Sequence, residues 1–125
     1  MRKILLAGAV AITLTAVACG KGNKTDHKNM VIEIATFELA EGVTPESFFE
    51  VDRAVEKEHV AKQPGFLKRQ SGYTEDGEWL AVVYWKSHDD AEASMASFAD
   101  APAAANFMSK MDVSTMAMKR YTKRD

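Results

Sequence analysis

Between residues 30 and 121 the apolar positions fall into two similar halves, each reading strand, helix, strand. Val31 to Leu39 (VIEIATFEL) is β-branched and aromatic-rich with partial period-two alternation, which predicts a strand. A turn at Glu41-Gly42 leads to Thr44 as N-cap and Pro45 at the first helical position. From Pro45 to about Lys62, the residues Phe48, Val51, Val55 and His59 recur at offsets of three, four and four, which puts them on one helix face. Pro64-Gly65 ends this helix. Phe66 to Tyr73 (FLKRQSGY) predicts a second strand, Asp76-Gly77 is a hairpin signal, and Trp79 to Trp85 (WLAVVYW) predicts a third strand.

The second half opens with Ser87 and Asp90, spaced like a capping box. The helix that follows turns Ala91, Met95 and Phe98 inward, and Ala101-Pro102 breaks it. A short Ala-rich helix presents Ala104, Phe107, Met108 and Met111, and a last strand runs from Val113 to about Tyr121. The order β-α-β-β-α-β, with an extra short helix, predicts an α+β ferredoxin-like fold with an antiparallel sheet and helices on one face. Both alternating sets of the third strand, Trp79/Ala81/Val83/Trp85 and Leu80/Val82/Tyr84, are apolar or aromatic, the mark of a strand covered on both faces. One helix layer covers one of them. A second subunit packed sheet to sheet is the expected cover, giving a homodimer; a loop or the N-terminal tether is the alternative.

The residues before this domain predict location. Arg2 and Lys3 precede an apolar stretch from Ile4 to Ala18, too short to span a bilayer but fitting a cleaved signal peptide over residues 1–18. The single cysteine, Cys19, follows Ala16-Val17-Ala18, which resembles the lipobox of bacterial lipoproteins. That resemblance implies an acylated Cys19 and an anchor in the lipid bilayer, and Gly20 after it implies the outer membrane, facing the periplasm. Gly20 to Asn29 holds no apolar residue and reads as a tether, with His27 a solvated linker residue. Domain boundaries are therefore 1–18 signal, 19–29 lipidated Cys and tether, and 30–125 folded domain.

Removal of residues 1–18 takes two of sixteen basic residues and no acid, so fourteen face eighteen acidic ones, a formal charge of −4. This mild acidity argues against nucleic acid as a partner. With Cys19 acylated no thiol remains for a disulfide or a thiolate metal site, so the domain must be held by its own core. Gly-rich phosphate loops, Cys/His zinc spacings and nucleophile elbows do not occur.

Gln63-Pro64-Gly65-Phe66-Leu67-Lys68-Arg69, Asp76-Gly77-Glu78-Trp79-Leu80 and Val83-Tyr84-Trp85-Lys86-Ser87 with Asp90-Ala91 resemble the antibiotic biosynthesis monooxygenase family of dimeric α/β barrels, over nearly all of residues 30–121. The resemblance implies a sheet-to-sheet dimer with a small apolar pocket between sheet and helices in each monomer. It does not settle activity, since the superfamily includes quinone-forming monooxygenases, haem-degrading enzymes and stress proteins. Haem-degrading members carry an Asn on the first strand, a Trp in the second-half helix and a His that ligates iron. Here the first strand has no Asn, and the other two positions fall near Ser94 and Ala104, neither of which supplies such a ligand. No haem, other cofactor or metal is expected.

For the cofactor-independent branch the resemblance implies an apolar pocket for a polycyclic or quinol-like phenol and a few polar groups. The candidates are His59, Arg69, Tyr73, Trp79 and Tyr84. His59 is singled out because it sits on the inward stripe and has an unperturbed pKa near neutrality; the competing reading is a core histidine bonded to a backbone carbonyl. His88, in the first turn of the next helix, reads as a surface residue. Arg69 is expected to pair across strands with an acid such as Glu33. Met108/Met111 and Met116/Met118 form a thioether-rich C-terminal region, a pattern copper(I) favours, yet each pair lies where core residues are expected.

Overall fold

A computed structural model describes residues 29–124, so Cys19, the segment read as a signal peptide and nearly all of the tether lie outside the described residues. Four strands and three helices follow in the order β1 (Val31–Leu39), α1 (Pro45–Glu58), β2 (Phe66–Tyr73), β3 (Glu78–Trp85), α2 (His88–Phe98), α3 (Pro102–Ser109) and β4 (Met111–Thr122). The strands form one antiparallel sheet in the order β2-β3-β1-β4, the ferredoxin-like arrangement expected from the sequence. None of the described helices is long and apolar enough to cross a membrane.

Capping follows the residue chemistry. Thr44 accepts from the Ser47 backbone N–H while the Ser47 side chain accepts from the Thr44 N–H, a reciprocal box that starts α1. Ser87 Oγ accepts from the Asp90 N–H at 3.1 Å and starts α2. The first helix stops earlier than its periodicity suggests, at Glu58, and Val60–Lys62 continue as a 3₁₀ turn. Pro64 explains this: it has no N–H for the Val60 carbonyl, which accepts instead from Gln63 at 3.2 Å. The last strand starts at Met111 rather than Val113, so Met111 is its first residue.

Alternation assigns the faces. Toward the helices the sheet presents Val31, Phe37, Trp79, Val83 and Trp85, all buried, against Phe48, Val51 and Val55 of α1 and Phe107 of α3. On the opposite face Leu80 is 37% and Tyr121 48% exposed, beside Ile32, Ile34, Val82 and Tyr84. The outer face is thus an apolar surface, and within one chain no described helix lies over it.

The ladder between β1 and β4 is interrupted by a bulge between Thr36 and Glu38. There the Glu38 N–H donates to Thr115 Oγ1 at 2.8 Å rather than to a backbone carbonyl.

Candidate functional site

A cavity of about 150 Å³ lies between the inner face of the sheet and the helices. Its floor comes from side-chain size. Ala35 of β1 stands opposite Ala81 of β3, and these two small residues sit between a row of large ones (Phe37 and Trp79) and the row of Val83 and Glu33. The helices bridge over the hollow: Val55 and Val60 form one wall, Phe98 and Phe107 another. Met95 of α2, Met108 of α3 and Met111, Met116 and Met118 of β4 line the rest, so five of the chain's seven methionines meet at one cavity.

Two charged residues reach this otherwise apolar floor. Arg69, Val83, Glu33 and Arg120 form one row across the four strands, all pointing toward the helices. Glu33 accepts from Arg120 Nε at 2.7 Å on one oxygen and from Trp85 Nε1 at 3.4 Å on the other, and is 7% exposed. Burial alone would lower the Arg120 pKa; hydrogen bonding and charge from Glu33, helped by Glu92, outweigh it and hold the guanidinium above its ordinary value. Arg69 reaches up to α1, where Nη2 meets Asp52 Oδ1 at 2.6 Å and Nη1 meets Asp52 Oδ2 at 2.8 Å, a bidentate pair with both side chains 3% exposed. Ser71 Oγ donates to Asp52 Oδ2 at 2.7 Å and accepts from Arg69 at 3.1 Å.

The expected Arg69–Glu33 pair is therefore not formed. β3 lies between their strands, a separation of roughly 9–10 Å, so each takes a nearer partner: Arg120 on the adjoining strand for Glu33, Asp52 overhead for Arg69.

The five candidates drawn from the sequence are dispersed by the fold. Arg69 lines the cavity. His59, C-cap of α1 and 7% exposed, stands behind the cavity wall rather than in it, its ring 5.6 Å from that of Phe98. Its Nε2 lies 3.4 Å from the Ser94 carbonyl, which can only accept, so that nitrogen carries the proton and Nδ1 receives the Gln63 amide at 3.4 Å. Trp79 is buried in the packed layer, edge-on to Phe48 at 4.8 Å and under Tyr73 at 5.8 Å; its Nε1 is the one buried side-chain polar atom without a partner among the described residues. Tyr73 is 56% exposed, and Tyr84, paired with Ile32 and Lys68, points to the outer face. His88 is exposed, as expected of a surface residue.

Residues that shape the cavity but were not among the pocket candidates drawn from the sequence are Glu33, Ala35, Ala81 and Met95. A signal existed for one of them: in VIEIATFEL the inward set Val31, Glu33, Ala35, Phe37 contains a carboxylate where an apolar residue is expected. The arrangement offers a carboxylate acceptor on an apolar floor, enough to orient a small molecule and to take a proton from it. No cluster of His, Cys, Asp or Glu suited to a metal ion occurs among the described residues.

No protein-family model and no curated protein matches the sequence. Solved structures do match. SnoaB from Streptomyces nogalater, a cofactor-independent oxygenase, is 21% identical with a TM-score of 0.63, the match covering 78% of this chain and 95% of that one. A candidate antibiotic biosynthesis monooxygenase from Nitrosomonas europaea is 16% identical, TM-score 0.60, over 77% and 91% of the two chains. Another from Caulobacter crescentus CB15 is 18% identical, TM-score 0.57, over 79% and 93%. The chain has the α+β ferredoxin-like fold of these antibiotic biosynthesis monooxygenase structures.

Proposed function

We propose that this is a lipid-anchored envelope protein whose domain binds a small apolar or aromatic molecule in the cavity above Ala35 and Ala81. The observation that carries the reading is the cavity itself: a hollow of about 150 Å³ that the helices bridge, with apolar walls, the Glu33 carboxylate at its floor and Arg69 along its lining. A core filled by its own side chains would leave no such space. Native mass spectrometry of the protein purified from its own host tests it: a bound small molecule is expected, and an empty protein that also binds no added arene would refute it.

The anchor and the assembly belong to the same reading. Acylated Cys19 holds the domain at the outer membrane facing the periplasm, so Cys19→Ser is expected to abolish partitioning into detergent. The outer face, with Ile32, Ile34, Leu80, Val82, Tyr84 and Tyr121, suits a second copy in a homodimer. Val82, not Val83, points that way, so Val82→Lys is expected to give monomers or insoluble protein by light scattering.

A second reading, cofactor-independent oxygenation of a phenol or quinol, is favoured by the fold shared with SnoaB and by the placement of Glu33. In it Glu33 takes the hydroxyl proton, the phenolate gives its electrons to dioxygen, and oxygen bonds to the para carbon. The resulting peroxide loses its second oxygen as water together with the ring proton, leaving a para-quinone. Phenol plus O₂ thus becomes quinone plus water, the substrate supplying all the electrons. Oxygen uptake matched mole for mole by quinone absorbance, and lost in Glu33→Gln, is expected; no uptake with any phenol leaves a binding protein.

A further inference from the structure

Given that the cavity binds a small molecule, its dimensions and lining narrow the class. We propose that it selects a single-ring hydroxyarene, a phenol or hydroquinone, over both fused-ring arenes and saturated rings of similar size. This departs from the polycyclic ligand that resemblance alone implies.

The volume sets the ring count. A dry protein cavity of about 150 Å³ with apolar walls accepts one benzene ring, and the hollow here has that volume. Its floor is closed along the strands by Phe37 and Trp79 at one end and by Val31 and Trp85 at the other, all at most 1% exposed. A second fused ring has to displace one of these packed side chains or protrude past the half-exposed Met108 and Met116.

The lining sets the kind of ring. Five thioethers border the cavity, and sulfur makes favourable contacts at the edge of an aromatic ring that a saturated ring does not return. The floor then places the hydroxyl. The Glu33 carboxylate uses one oxygen for Arg120 and one for Trp85, and each carboxylate oxygen has a further lone pair to accept an O–H. Arg69 also lines the cavity, but its guanidinium is held up against α1 by Asp52, Ser71 and Glu56, so Glu33 alone anchors the hydroxyl.

Calorimetric titration of the full chain with phenol, toluene, cyclohexanol and 2-naphthol, against the same buffer without protein, tests this. Phenol is expected to saturate at one per chain, with cyclohexanol and 2-naphthol at least tenfold weaker and toluene severalfold weaker. The naphthol comparison is decisive because naphthol is the more hydrophobic, so any open groove prefers it. Ala81→Leu, which fills the floor, is expected to abolish phenol binding, and Glu33→Gln to bring phenol down to the level of toluene. Should Glu33→Gln fail to fold, Met108→Leu with Met116→Leu provides the second check, lowering the phenol-to-cyclohexanol ratio while leaving cyclohexanol unchanged. Naphthol or cyclohexanol binding as tightly as phenol overturns the single-ring proposal but leaves the pocket reading standing. Absence of binding by all four overturns both.

Discussion

The core is built in two parts that obey different rules. Near the N-terminal end of α1, Phe37, Phe48, Phe107 and Trp79 meet with centroids 4.8 to 5.7 Å apart, edge to face except for the tilted Phe48–Phe107 pair, joined by Val51, Val55, Ala104 and Met111. The other part, around Trp85, has Val31, Val60, Val83 and Ala91, with Phe66 set against Trp85 at 6.0 Å. The cavity lies where the two meet and takes lining residues from both. Four rings interlock on one side, Trp85 packs with branched and small residues on the other, and between them Ala35 and Ala81 leave a seam that neither part fills.

Four substitutions separate these roles. Phe48→Ala empties the aromatic part, and a buried Phe→Ala change costs about 3–5 kcal/mol; denaturant unfolding is expected to show a loss in that range, or no folded protein. Asp52→Ala leaves Arg69 charged and buried beneath α1 with only the partly exposed Glu56 carboxylate 3.7 Å away, and removal of one partner of a buried ion pair costs up to ~3–5 kcal/mol. The double variant Asp52→Ala/Arg69→Met is expected to recover much of that, since no charge is then stranded; equal losses in the single and double variants would show that the pair is not coupled. Ala35→Val, at the seam, is expected to work in the opposite direction, raising stability by about 0.5–2 kcal/mol by cavity filling while ligand binding falls. Destabilisation by Ala35→Val would mean the seam is already full. His59→Phe is expected to have the smallest effect, about 1 kcal/mol or less, because both ring nitrogens make long bonds of 3.4 Å.

The sequence made the elements legible because each was marked by local chemistry: alternation in VIEIATFEL and WLAVVYW, Thr44-Pro45 and Ser87 at helix starts, Asp76-Gly77 at the hairpin. The inward stripe Phe48, Val51, Val55, His59 is buried as its spacing requires. What failed to show was how particular side chains meet across the sheet. Pairing Arg69 with Glu33 is reasonable for two charged residues on one sheet, but β3 lies between their strands. Tyr73, Trp79 and Tyr84 have the side-chain types of a binding site, yet they fall on a rim, in packed core and on the outer face. The methionines were visible as separate pairs at core positions, and only the fold shows that Met95 joins them around one hollow. Small residues are the hardest to read in this way, since Ala35 and Ala81 matter through the volume they do not occupy.

The bulge in β4 has a consequence for the length of this chain rather than its composition. Met111, Met116 and Met118 all reach the cavity, although 111 and 116 are an odd number of positions apart, and on an uninterrupted strand such residues face opposite sides. Between the paired positions Met111–Leu39 and Ala117–Thr36, the six steps on β4 oppose three on β1, an odd excess that restores the parity. Residues 113–115 therefore take up the excess. Loss of one residue there makes the interval from Met111 to Met116 even, which plain alternation satisfies, so Met116, Met118 and Arg120 keep their inward orientation and Glu33 its ion pair. A one-residue deletion at 113 or 114 is accordingly expected to fold, whereas removal of Thr115 takes away the oxygen that accepts from the Glu38 N–H.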